Sequence, residues 1–181
     1  MNVQYYSYGT AMLAAFEYLL TRYPEVFVIG QGLWSPWYVG NSMTDLDKKF
    51  GIDRVIDTPV SESACTGAAI GAAICGMKPI VVHPRVDFAL YAMDAIVNHI
   101  DKIERISHGE YKVPVIIRAV TADAGPFYSG ITHSQDFTNM LRTAVSFPVY
   151  DPVTGEDLAL AFKKAQHSGR PAIIIERKSR Y

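Results

Sequence analysis

Short apolar runs rich in Val and Ile recur at residues 26–29, 54–57, 79–83, 113–118, around Val149 and at 172–176. Each has the length of a strand, and most lack the polar alternation of a half-exposed one, which predicts strands buried on both faces. Between these runs the period changes. Leu13, Phe16, Glu17 and Leu20 recur at roughly helical spacing over 10–22, with Thr10 as the expected cap and Pro24 as the stop. Further helices are expected over 44–50, 62–75, 88–106, from near Ser134, and over 155–167. Residues 30–40, with Pro36 and two tryptophans, and the glycine-containing stretch 121–132 read as loops. Strands alternating with helices predict an α/β fold, a mostly parallel sheet with helices on both faces, in one domain spanning 1–181.

Composition narrows the classes. The chain is 49% hydrophobic and 19% charged with a net charge of -1, which argues against disorder and against a nucleic-acid partner. Its longest uncharged run, residues 63–77, ends at Lys78-Pro79 and is too short and too rich in Gly and Ala to cross a membrane. The first residues lack the basic and apolar regions of a secretory signal, so a cytoplasmic protein is expected. Cys65 and Cys75 fit neither a disulfide framework nor a zinc knuckle, which suits a reducing setting.

In open parallel sheets, ligands gather beyond the carboxyl ends of the strands. Glu62 falls at such a strand-to-helix junction, after Asp57-Thr58-Pro59-Val60-Ser61. Taken alone, it is more simply a first-turn carboxylate favoured by the helix dipole. Phe88 alone is a core aromatic, and His133 alone is as readily structural as catalytic. Neither a G-x-G-x-x-G dinucleotide fingerprint nor a P-loop occurs.

Several linked motifs change those odds. The stretch 57–62, then Gly67-Ala68-Ala69-Ile70-Gly71-Ala72-Ala73 and Gly76-Met77-Lys78-Pro79, resembles the beta subunits of 2-oxoacid dehydrogenase E1 components. These are transketolase-like thiamine-diphosphate enzymes. Asp87-Phe88, residues 93–98, residues 113–118 and His133-Ser134-Gln135 fit the same register, so the resemblance runs from about Gly9 to Tyr181. It implies a pyrimidine-binding domain in which Glu62 contacts N1' of the aminopyrimidine. A carboxyl group sharing its proton there favours the imino tautomer that activates the thiazolium carbon. Such a role calls for a carboxyl that holds its proton well, with apolar burial as the simplest cause. Phe88 is then the residue stacking on the pyrimidine, Val60 and Tyr91 flank its edge, and His133 is a proton donor or charge stabiliser for a small-molecule substrate. His83 and Arg85 fall at a strand end where they can face the site.

The chain also departs from that family. No Gly-Asp-Gly metal motif is present, so the diphosphate and its magnesium are expected on a partner, an alpha-type subunit, with homodimerisation inside a heterotetramer. The C-terminal transketolase domain of the beta subunits is expected to be absent. Tyr91 replaces a common polar amide, and Gln31 stands where many relatives are acidic and cannot move protons as a carboxylate does. The loop carrying Trp34 and Trp37 reads more readily as a partner contact than as a substrate channel. The small-residue helix fits either a subunit interface or close packing within one subunit. An alternative to the enzyme reading is a non-catalytic interaction domain that retains the fold.

Overall fold

A computed structural model describes residues 7–123 and 128–181. Six parallel strands form one sheet: β1 (Val26–Gln31), β2 (Val55–Thr58), β3 (Lys78–His83), β4 (Ile116–Thr121), β5 (Val149–Tyr150) and β6 (Ala172–Arg177). They are ordered β2-β1-β3-β4-β6-β5. The α/β class and the strand set agree with the apolar runs, because strands covered on both faces need no polar side. The helices are α1 (Tyr8–Arg22), α2 (Leu46–Phe50), α3 (Glu62–Ile74), α4 (Ile103–Ile106), α5 (Thr138–Ala144) and α6 (Gly155–Ser168).

One face of the sheet is covered by α1 and α6, where Met12, Phe16, Leu19, Leu158 and Phe162 meet Val28, Ile80, Val82 and Ile174. On the other face Cys65, Ala69, Ile70 and Ala73 of α3 pack with Ile96, Ile100 and Leu141 against Ile29, Val81, Ile117 and Ile175. The chain leaves β1 for β2 on one side, then crosses to β3 on the other. That reversal opens a crevice between the carboxyl ends of β1 and β3.

Several expected boundaries shift, each for a visible reason. Ser7 caps α1; Thr10 is the third helical residue, returning a bond to the Ser7 N–H in a capping box. The helix expected over 44–50 begins at Leu46, because Asp45 adopts a left-handed φ of 58°. Strand β4 pairs from Ile116 rather than from Val113, since Pro114 has no N–H to donate. The helix expected near Ser134 starts at Thr138: Gln135 turns aside to bond Asp87, and Asp136 accepts from the Thr138 N–H.

The helix expected over 88–106 is three pieces, a 3₁₀ helix (Val86–Ala92), a π segment (Ala95–Ile100) and α4. The Asp101 N–H reaches back five residues to Ile96, while the Asp101 carboxylate is held by the Ser146 N–H and hydroxyl at 2.7 and 2.6 Å. Tethering Asp101 to Ser146 accounts for the locally widened turn. Of the loop expected over 121–132, residues 124–127 lie outside the described residues; Thr121 closes β4, and Ile131–His133 form a 3₁₀ turn.

One pairing inside the sheet was not among the expectations from sequence. Arg118 of β4 and Glu176 of β6, both fully buried, join through Nε and Nη2 at 2.7 and 2.9 Å. Arg118 also donates to the Ser42 hydroxyl and the Tyr181 hydroxyl, and lies over the rings of Phe16 and Tyr38. Burial works against the guanidinium charge, but the Glu176 carboxylate more than offsets it and holds the group protonated. Tyr181 closes the network by donating to Glu176 and fits so closely that a Cβ on Gly40 would lie 2.1 Å from its ring.

Candidate functional site

The crevice between β1 and β3 is where sequence and topology converge. Its inner part is lined by Gly30 and Gln31 from β1, Thr58, Pro59, Ser61, Glu62 and Cys65 from the β2–α3 turn, and Val82, His83 and Pro84 from β3. Gly30 is needed here, because an added Cβ would come within 2.5 Å of the Val82 carbonyl oxygen. This inner gap measures about 10 Å³. It widens into an outer cleft of about 560 Å³ walled by Trp34, Tyr38, Pro59, Val60 and Pro84 with Gln31 and Asp57. The inner gap has room for about one water, and the outer one has room for a heterocycle.

Glu62 is the first residue of α3 and is half-buried. The apolar burial expected for it is thus partial in this chain. Asp57, the other carboxylate of the cleft, accepts from the Gly32 N–H at 2.5 Å, which orders the turn after β1. Trp34 donates its indole N–H to the Val55 carbonyl at 2.8 Å and so stands as a wall of the cleft, whereas Trp37 is 80% exposed.

The other residues singled out from sequence form a second group. The rings of Phe88 and His133 meet edge to face, with centroids 5.4 Å apart. His133 is half-buried, with Nδ1 2.9 Å from the Thr132 hydroxyl. Its segment is fixed on both sides. Downstream, Gln135 binds Asp87 through backbone and side chain, and Asp136 pairs with Arg177 at 2.8 Å. Burial raises the Asp136 pKa, but hydrogen bonds from Thr138 and the Arg177 guanidinium outweigh it and bring it down to about 2. Tyr91 links the groups through its backbone, whose carbonyl accepts from Ser63 next to Glu62; its side chain is 74% exposed. Val60, 73% exposed, lies on the outer cleft.

Arg85, Asp87, Gln135 and His83 do more here than their sequence context suggested. Arg85 donates to the Ser129 hydroxyl at 3.1 Å, on the way to His133. His83 is 1% exposed, and burial pushes its pKa down to about 4. An unfolded histidine titrates near ~6.5, so acid favours the unfolded chain. Stability is then complete above that pH and falls as pH drops towards the folded value, by about 3 kcal/mol in all. His83→Phe is expected to flatten this acid slope in urea unfolding between pH 7 and pH 4.5; an unchanged slope would place the acid sensitivity elsewhere.

The small-residue helix resolves one alternative. Sheet packing uses Cys65, Ala69, Ile70 and Ala73, while Gly67 and Gly71 face away, with nothing within 4 Å of an added Cβ. Close packing inside this subunit does not explain those two glycines. Among the described residues no helix is long and apolar enough to cross a membrane.

Comparison with known proteins places this geometry. The chain is 30% identical to the 2-oxoisovalerate dehydrogenase subunit beta of Bacillus subtilis, over 97% of its own length and 53% of that subunit. It is 34% identical to the acetoin:2,6-dichlorophenolindophenol oxidoreductase subunit beta of Cupriavidus necator, over 94% of its own length and 53% of the relative's. It thus spans about half the length of the curated relatives it matches. Among solved structures, a split-gene transketolase described as an inactive beta4 tetramer superposes with a TM-score of 0.71 at 21% identity, covering 94% of this chain and 50% of that one. The sequence profile of the transketolase pyrimidine-binding domain matches residues 4–181, and the chain belongs to that family.

Proposed function

We propose that this chain supplies the pyrimidine-binding domain of a beta-type subunit of a thiamine-diphosphate-dependent enzyme and works with a diphosphate-binding alpha-type chain. One observation carries the reading: Glu62 stands at the β1–β3 crossover point, where a narrow gap opens into a largely apolar cleft of about 560 Å³. The cleft suits a flat heteroaromatic ring, with apolar and aromatic walls and few polar groups. A metal-bound diphosphate does not fit as well. Among the described residues no three His, Cys, Asp or Glu side chains gather to hold a metal ion. The magnesium is assigned to the partner on the family resemblance, because the sequence carries no Gly-Asp-Gly motif.

Bound thiamine diphosphate supplies a carbon nucleophile for a substrate carbonyl, which suits decarboxylation of a 2-oxoacid or transfer of a ketol or acyl unit. Glu62 holds a proton at the ring nitrogen N1'. Phe88 covers a face of the ring, and Val60 and Tyr91 flank its edge. His133, steadied by Phe88 and by the Asp87–Gln135 contact, gives a proton to the substrate oxygen or stabilises charge there. The outward face of α3 around Gly67 and Gly71 suits a second copy of this chain, as expected for a heterotetramer. Free Cys65 and Cys75 are in keeping with a cytoplasmic, reducing setting.

Calorimetry tests the division of labour. The isolated chain should bind magnesium thiamine diphosphate weakly, and a partner carrying a Gly-Asp-Gly motif should restore tight binding. Tight magnesium-dependent binding by this chain alone would contradict the assignment. A second reading, a non-catalytic interaction domain that stabilises a related assembly, draws support from Gln31.

A further inference from the structure

His83 closes the floor of the same gap that Glu62 lines, yet nothing in the reading above uses it. Its Nε2 lies 3.4 Å from the Thr66 hydroxyl, and that hydroxyl lies 2.8 Å from the Glu62 carbonyl oxygen. The Thr66 hydroxyl has one hydrogen, and the Glu62 carbonyl can only accept it. Towards His83 the hydroxyl oxygen is then an acceptor, so the proton sits on Nε2 and Nδ1 keeps its unshared pair. The gap that both residues help to line, at about 10 Å³, has room for one water and no more.

The surroundings keep this ring neutral. Facing it are Glu62, Cys65 and Thr66 from α3, Gln31 from β1 and Thr58 from β2; the charged Arg85 and Asp87 follow on its own segment. Burial alone accounts for its depressed proton affinity.

We propose that His83 is a positioning residue for Glu62: a neutral imidazole that fixes the first turn of α3, and with it the placing of Glu62, through the Thr66 hydroxyl. This rests on the pyrimidine-binding reading of the cleft. Without the anchor, the first turn of α3 and the Glu62 side chain it carries lose their fixed place beside the cleft.

Two measurements decide it. In the full chain, long-range ¹⁵N–¹H correlation spectra should show His83 as the Nε2–H tautomer, still neutral at pH 5.5. An Nδ1–H ring, or one titrating near its free value, overturns the proposal. In the complex with the diphosphate-binding partner, exchange of the cofactor's C2 proton is followed against pH by quenched NMR. His83→Phe should leave thiamine diphosphate affinity within about threefold and slow exchange about tenfold. Thr66→Val, which removes the same link with little change of shape, should slow exchange to a similar extent, and it decides the matter if His83→Phe does not fold. Wild-type exchange profiles in the folded variants overturn the role of His83. If Glu62→Gln also exchanges like the wild type, or no complex binds the cofactor, the pyrimidine-binding reading itself fails.

Discussion

Glu176→Ala is expected to destabilise the fold by about 3–5 kcal/mol, because it leaves the Arg118 guanidinium charged, buried and without its carboxylate. Folded domains hold roughly 5–15 kcal/mol in reserve, so this single change endangers the native state. The network joins β4, β6, the loop after β1 through Ser42 and Tyr38, and Tyr181, and it borders the carboxyl edge where the site lies. Urea unfolding of the variant should show a lower midpoint. The double variant Arg118→Met, Glu176→Met should recover most of the loss, since removing both charges spares the desolvation of each. A double variant as unstable as the single one would mean that Ser42 and Tyr181, rather than the charge pair, carry the energy. Raising the salt concentration should change little, because both charges are shielded from solvent.

The second large effect concerns chemistry. Glu62→Gln keeps the size of the side chain and its hydrogen bonding but removes a group that can gain and lose a proton. In the complex with its partner, turnover should fall by about 10²–10⁴-fold, the usual worth of a positioned acid or base. Cofactor affinity should change far less, because the proposed division of labour puts the diphosphate contacts on the other chain. Unfolding midpoints should stay near the wild type, since Glu62 makes no ion pair among the described residues. Unchanged turnover would favour the reading in which this chain stabilises an assembly without acting in catalysis.

Much of the fold was legible because a parallel sheet covered on both faces writes itself as runs of Val and Ile. Residues 26–29, 79–83 and 172–176 needed no partner information to be read as strands. Their order was not legible, since it is set by contacts distant in sequence. The same limit hid Arg118 and Glu176, which are 58 positions apart. A signal did exist, in one charged residue inside each of two otherwise apolar runs, Val115-Ile116-Ile117-Arg118-Ala119-Val120 and Ile173-Ile174-Ile175-Glu176. A charge in such a place needs a partner of opposite sign.

The helix expected over 88–106 failed differently. The widened π turn at its centre goes with Asp101 being tethered to Ser146, a contact no local pattern reveals. At the site, Glu62, Phe88 and His133 were found through resemblance rather than through periodicity. The fold then brought Phe88 and His133 into ring contact and set Glu62 at the crossover cleft. His83 was noted as a strand-end residue, but its burial beside Glu62 follows from β3 pairing with both β1 and β4, which only the assembled sheet specifies.

A crystal structure of this chain together with a diphosphate-binding partner and thiamine diphosphate is the most direct measurement. The account predicts the aminopyrimidine in the opening between Gln31, Pro59 and Pro84, with a Glu62 carboxyl oxygen at hydrogen-bonding distance from N1' and the diphosphate on the partner. An aminopyrimidine bound elsewhere, or Glu62 turned to solvent while the ring is held by other residues, would contradict it.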